Sequence, residues 1–172
     1  MTQPPDQAAA ALLGALAERG ATLAVAESLT GGLLAATLTS VPGASAVFRG
    51  AIVSYATDLK LSLLGVPPDL PAGPGVVSAE SAVAMATGAR ERCGSTYALS
   101  TTGVAGPDRQ EGKPVGLVYV GWAGPDGSGA DRLELAGGRE DVRVATCSHA
   151  LTLLRRRLDP TALPEPGLTD HR

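Results

Sequence analysis

The sequence predicts an α/β fold, a mixed and mostly parallel sheet with helices on both faces. Three observations carry this. Helix-like and strand-like segments alternate along most of the chain, the pattern of parallel strands joined by crossover helices. Late in the chain two strand-like runs flank the turn residues 125–129 (Pro-Asp-Gly-Ser-Gly), which adds an antiparallel hairpin. The chain is 172 residues long, with 44% hydrophobic and 18% charged side chains, which fits one globular domain around a single core.

Each element has its own justification. Residues 5–19 form a helix, with Leu12, Leu13 and Leu16 at helical spacing and Gly20 as a stop. Residues 21–26 read as a short buried strand ending at Glu27. Gly31-Gly32 makes a turn, and residues 33–38 are helical until Val41-Pro42-Gly43 breaks them. Residues 51–55 are β-rich, and Thr57 or Asp58 can cap a helix running to Leu64. Residues 65–75 hold four prolines and are expected to be loop. Ser78 is an N-cap, with Glu80 in the first turn of a helix through Arg92 that Gly94 ends. Residues 97–102 are a strand, 103–107 a loop, 117–122 a strand, and 132–135 the second arm of the hairpin. A last helix covers residues 140–158, with Val142, Val144, Ala145, His149, Leu153 and Leu154 as its expected inner face. The domain is expected to span residues 1–158. Residues 159–172, with Pro160, Pro164 and Pro166, form a proline-rich tail without regular structure. No internal repeat or linker is visible.

Composition removes several function classes. The net charge is −3, and the basic residues do not cluster except at Arg155-Arg156-Arg157. Phosphate neutralisation needs an excess of Lys and Arg on one face, so a nucleic-acid partner is not expected. Aromatic residues make up only 3%, too few for a base-stacking platform, so Ala, Val and Leu must build the core. Cys93 and Cys147 lie far apart inside predicted helices and suit neither a disulfide framework nor a zinc site. No leader-like N-terminus and no run of about 18 apolar residues is present, so a cytoplasmic protein without a membrane partner is expected.

The chemistry concentrates at the first strand-to-helix turn. Ala26-Glu27-Ser28-Leu29-Thr30-Gly31-Gly32 lies where α/β sheets hold ligands, beyond the carboxyl end of a strand and before a helix N-terminus. Ser28 and Thr30 supply hydroxyls, Glu27 a carboxylate, and Gly31 and Gly32 allow close approach of backbone N–H groups. The same residues also suit a plain helix cap and tight turn. A serine nucleophile needs a base. His171 falls in the tail and His149 in the last helix, so a Ser-His-Asp triad is poorly supported. The chain has two lysines, Lys60 and Lys113, against twelve arginines. Lys60 follows the second strand, and a buried lysine amine can lose its proton where arginine cannot. An exposed helix lysine fits that position equally well on local grounds. A third group, Thr101-Thr102-Gly103-Val104-Ala105-Gly106-Pro107 followed by Lys113-Pro114-Val115-Gly116, suggests anion or ribose binding. No Walker A run, dinucleotide fingerprint or metal-ligand spacing occurs.

Together these blocks, with Val41-Pro42-Gly43-Ala44-Ser45, residues 50–55, Leu64-Gly65-Val66 and Val77-Ser78, resemble the C-terminal domain family of CinA, competence/damage-inducible protein A, over residues 21–158. The resemblance implies a three-layer α/β/α sandwich and self-association into a homo-oligomer. It implies deamidation of nicotinamide mononucleotide, a small-molecule nucleotide substrate, to nicotinic acid mononucleotide and ammonia, without metal or other cofactor. It makes Ser28 the nucleophile, Lys60 its base and Tyr55 an orienting or proton-relaying partner.

Three departures from the family pattern are present. Leu29 replaces a usual cysteine, Thr57-Asp58-Leu59 alters the approach to Lys60, and residues 108–112 lack the usual Glu-Glu before Lys113. On this reading an acyl-enzyme forms at Ser28, and N–H groups of residues 30–32 hold the oxyanion. Glu27, Thr30, Gly31, Gly32 and Thr102 contact substrate, and the phosphate lies near Gly103, Ala105 and Gly106 with Ser45 or Arg139. A non-catalytic nucleotide-binding or regulatory module is the alternative. A structural role in DNA uptake or damage response would rest on the family name alone.

Overall fold

The structure, a computed structural model, describes residues 4–159. Its elements are α1 (Pro5–Glu18), β1 (Leu23–Glu27), α2 (Leu33–Thr39), β2 (Phe48–Val53), α3 (Thr57–Leu64), α4 (Ala79–Cys93), β3 (Tyr97–Gly103), β4 (Leu117–Gly124), β5 (Gly127–Glu134) and α5 (Arg139–Leu158). Short 3-10 turns at Ala44–Ala46 and Leu70–Ala72 lie between them. The proline-rich tail and His171 lie outside the described residues, apart from Asp159.

The sheet is mixed, in the order β2-β1-β3-β4-β5. β2, β1 and β3 run parallel, while β4 and β5 join as antiparallel neighbours. Parallel and antiparallel pairings are therefore equal in number, because the late hairpin extends the sheet by two strands. Helices α1, α2 and α5 pack together on one face, and α3 with α4 covers the other. This is the α/β/α sandwich.

The alternation along β1 explains the two faces. Leu23 and Val25 enter the larger core under α1, α2 and α5, whereas Ala24 and Ala26 turn toward α4. Alanine and glycine on that second face bring α4 very close to the sheet. A Cβ on Gly121 of β4 would collide with the Ala82 carbonyl of α4, and one on Gly88 of α4 would collide with the Leu64 carbonyl closing α3. The scarcity of aromatic side chains thus has a structural counterpart in tight backbone approach.

Several element boundaries differ from the sequence reading. β2 begins at Phe48 rather than Ala51, because Phe48 and Gly50 already pair with Leu23 and Ala24. It ends at Val53, so Ser54 and Tyr55 lie past the strand. β5 begins at Gly127, since the hairpin turn is only Pro125-Asp126 and Gly124 pairs with Gly127. On α5, Val142, Leu153 and Leu154 are buried as expected, but Val144 is exposed and Ala145 only half-buried. His149 is turned toward β5, where its Nε2 lies 2.8 Å from Asp131 Oδ2. The basic triplet is no open patch either, because the Arg157 guanidinium stacks on Trp122, 3.2 Å from the ring centre.

Candidate active site

The connectivity fixes where a site can form. The chain leaves β1, returns as β2 on one side of it, then crosses to β3 on the other side. Carboxyl ends of all three strands therefore meet at one edge, around the switch point at β1. Two backbone bonds prolong the pairing past the strand ends: Ser28 N–H donates to Thr101 O at 2.9 Å, and Ser54 N–H donates to Glu27 O at 2.9 Å. Ser28 is thereby held between the ends of β2 and β3.

The turn that follows is shaped by Gly31 and Gly32, at φ of 56° and 100°, in the left-handed region where a Cβ is strained. Glu27 closes it. Its carboxylate is fully buried and accepts hydrogen bonds from the N–H groups of Gly32 (3.0 Å), Leu34 (3.1 Å) and Ala35 (2.8 Å). A carboxylate at the positive end of α2 satisfies donors that a helix start leaves open and complements the helix dipole. Gly31 N–H is engaged as well, by Ser28 O at 3.0 Å.

These bonds revise the sequence reading at several positions. Glu27 holds α2 and is not among the residues lining the cavity at this edge. The N–H groups of Gly31 and Gly32 are already bonded and cannot receive an oxyanion. Thr30 is fully buried with its hydroxyl 2.7 Å from that of Thr101, and the Thr102 hydroxyl donates to Val76 O at 2.6 Å. Neither hydroxyl faces the cavity. Ser45 stands on the 3-10 turn before β2, at the amino ends of the parallel strands, opposite the site. Within this turn, the N–H groups that find no acceptor among the described residues are instead those of Leu29 and Thr30, immediately after Ser28.

A cavity of about 290 Å³ opens at this edge. Ser28, Leu29, Tyr55, Arg139 and the loop of residues 103–110 line it, so Gly103, Ala105 and Gly106 form part of the wall. Arg139, at the first turn of α5, ties two sides together. Its guanidinium donates to Gly106 O at 2.6 Å and to the Tyr55 hydroxyl at 2.9 Å. Arg143, one turn later, donates to Thr30 O at 2.8 Å and pairs with Glu140 at 2.7 Å. The sequence reading missed Arg143. Its spacing of four from Arg139 at a helix start was the available signal, since such residues share one face.

Lys60 comes from the middle of α3 and is 2% exposed. Its Nζ donates to Ser54 O at 2.8 Å and to Tyr55 O at 3.2 Å, the two residues past the end of β2. Burial pushes its pKa down from the ordinary lysine value, and the field of Glu111 opposes this only in part. The Ser28 hydroxyl makes no hydrogen bond with the described residues, Lys60 included.

Glu111 belongs to a clasp around the loop. Its carboxylate accepts from Val76 N–H (3.2 Å) and Val77 N–H (3.3 Å), while Lys113 Nζ donates to Pro74 O (2.7 Å) and Val77 O (2.5 Å). The loop between β3 and β4 is thus fastened to the segment before α4. Among the described residues no group of three or more His, Cys, Asp or Glu could hold a metal ion. No described helix is long and apolar enough to cross a membrane.

Comparison with known proteins places the chain. The CinA C-terminal domain family matches residues 5–158. A CinA-like protein of Frankia casuarinae is 54% identical over 164 residues, covering 95% of this chain and 37% of that protein. One from Myxococcus xanthus is 48% identical over 152 residues, covering 87% of this chain and 36% of its own length. The chain thus spans about a third of the curated relatives it matches. Among solved structures, the competence/damage inducible protein CihA from Agrobacterium tumefaciens superposes with a TM-score of 0.84 at 35% identity, over 87% of this chain and 93% of that one. A CinA superfamily protein from Klebsiella pneumoniae gives 0.88 at 29% identity, over 91% and 98%.

Proposed function

This chain belongs to the CinA C-terminal domain family, and from that premise we propose that it is an amidohydrolase that deamidates nicotinamide mononucleotide through Ser28 and Lys60. The observation that carries the proposal is the burial of the Lys60 amine and the two carbonyls that hold it. A neutral amine has two N–H bonds and one lone pair. Both hydrogens have acceptors in the Ser54 and Tyr55 carbonyls. Burial disfavours a third proton. The lone pair is then the free group on the nitrogen, able to accept a proton, and the two carbonyls that hold the amine belong to the segment leaving β2, whose Ser54 N–H bonds Glu27 O next to Ser28.

Ser28 Oγ attacks the carboxamide carbon while its proton passes to Lys60. The tetrahedral intermediate collapses by C–N cleavage, and the Lys60 proton leaves with the nitrogen as ammonia. Water then attacks the acyl ester, giving a proton to Lys60, and Ser28 Oγ recovers that proton as the acid departs. The N–H groups of Leu29 and Thr30 support the oxyanion, since they have no other acceptor among the described residues. Such a donor contributes about 3 kcal/mol to the transition state. Tyr55 and Arg139, bonded to each other, seat the substrate against the wall formed by Gly103, Ala105 and Gly106. Self-association belongs to the same proposal, with the exposed Val53 at the end of β2 and Tyr55 just past it as the surface it would use.

The test is ammonia release from nicotinamide mononucleotide by the purified chain and its Ser28→Ala variant. We expect the variant to bind nucleotide and release no ammonia; undiminished turnover would end the proposal. One observation favours the second reading, a nucleotide-binding module without catalysis: Ser28 and Lys60 share no hydrogen bond. Nucleotide binding by the unaltered chain without ammonia release would decide for it.

A further inference from the structure

We propose that Arg109 is the residue that receives the phosphate of the substrate, and so sets a preference for a phosphorylated amide over its unphosphorylated counterpart. The inference rests on the amidohydrolase reading for the identity of the ligand, and on the cavity wall for its position.

Three charged side chains line the cavity: Asp108, Arg109 and Arg139. Arg139 is already engaged with Gly106 O and the Tyr55 hydroxyl, so its planar fork is held in the wall. Arg109 is exposed and makes no hydrogen bond or ion pair with any described residue, even with Asp108 beside it. It is the uncommitted cation of the wall. The backbone adds to it, because the N–H groups of Ala105, Gly106, Asp108 and Arg109 have no acceptor among the described residues. A guanidinium with nearby open N–H donors is the chemistry that recognises a phosphate monoester, through paired N–H···O bonds.

The loop that carries Arg109 is fixed on both sides. Upstream, Arg139 grips Gly106 O. Downstream, Gln110 and Lys113 exchange backbone hydrogen bonds of 3.4 and 2.8 Å, and Glu111 and Lys113 fasten the segment to residues 74–77. Little backbone order has to be created when an anion arrives, which favours binding. Ser28 and Arg109 reach the same cavity from different loops, so one molecule can present its amide to the first and its phosphate to the second.

The experiment uses the full chain carrying Ser28→Ala, which cannot turn substrate over. Calorimetry compares nicotinamide mononucleotide, the corresponding nucleoside and inorganic phosphate, with and without Arg109→Ala. We expect Arg109→Ala to weaken nucleotide binding about tenfold or more, the scale of one charge-assisted pair, and to shift nucleoside binding less than about twofold. Phosphate alone should compete with the nucleotide before the substitution and not after it. Because Arg109 is exposed and makes no hydrogen bond or ion pair with any described residue, the variant should unfold at nearly the unaltered temperature. Equal losses for nucleotide and nucleoside, or no loss for either, overturn the proposal. Failure of the chain to release ammonia, with Arg109-dependent phosphate binding intact, would overturn the catalytic reading and leave this one standing.

Discussion

Replacing Lys60 by methionine tests the central chemistry most directly. Methionine keeps the length of the side chain and removes the amine. A positioned general base contributes about 10² to 10⁴ in rate, so kcat should fall by that factor, a rise of about 3–5 kcal/mol in the barrier. The cost to stability should be smaller. Two hydrogen bonds to the Ser54 and Tyr55 carbonyls are lost, at about 1 kcal/mol each net, while the desolvation of a buried amine is relieved. We therefore expect a net loss near 1 kcal/mol in denaturant unfolding. The pH dependence separates chemistry from damage. The folded pKa of Lys60 is depressed, so its contribution to stability is full above the unfolded lysine value of 10.5 and is lost as pH falls through the lowered folded value. Activity should fall in the same acid direction, because protonation removes the base. Continuous ammonia detection across pH, for the unaltered chain and Lys60→Met, reads both effects. A variant within threefold of normal kcat, or with the same acid limb, would refute the assignment of Lys60 as base.

The other predictions are independent of the base. Glu27→Ala leaves three N–H groups, of Gly32 before α2 and of Leu34 and Ala35 in its first turn, without their buried acceptor and should cost about 3 kcal/mol or more in chemical unfolding. Arg143→Ala removes the bond to Thr30 O and should lower kcat more than it raises KM, since it loosens the turn that carries Ser28. Gly88→Ala drives a methyl group into the Leu64 carbonyl and should destabilise by about 1–3 kcal/mol, seen as a lower unfolding temperature. Cys147 is buried, which pushes its thiol up to about 12, so it should resist alkylation at pH 8 in the native state and react after denaturation.

Much of the fold was legible because its signals are local. The Leu-Ala-Val-Ala run of β1, the Ser78 cap, where Oγ accepts from Ser81 N–H at 3.1 Å, and the glycine stops at Gly20 and Gly94 each depend on a few neighbouring residues. Boundaries at the sheet edges were less legible. Gly127 to Gly129 look like turn residues in isolation, yet they pair with β4, because an edge strand needs only backbone partners on one side.

At the site the division is sharper. The sequence, read with its family resemblance, singled out Ser28, Tyr55, Gly103, Ala105, Gly106 and Arg139, and the fold gathers all of them around one cavity. It also named Glu27, Thr30, Gly31, Gly32, Thr102 and Ser45, whose types suit ligand binding equally well. Ser45 was removed by its place at the opposite end of the strands, and the others by bonds already made: Glu27 and the glycines within the turn, Thr30 with Thr101, and Thr102 with Val76. Long-range bonding raised Arg143, whose one local signal is its spacing from Arg139, and Glu111, which has none, while Leu29 matters because its N–H finds no acceptor among the described residues. A sequence specifies which groups can donate and accept; only the folded chain decides which of them are already partnered and which remain free for a ligand.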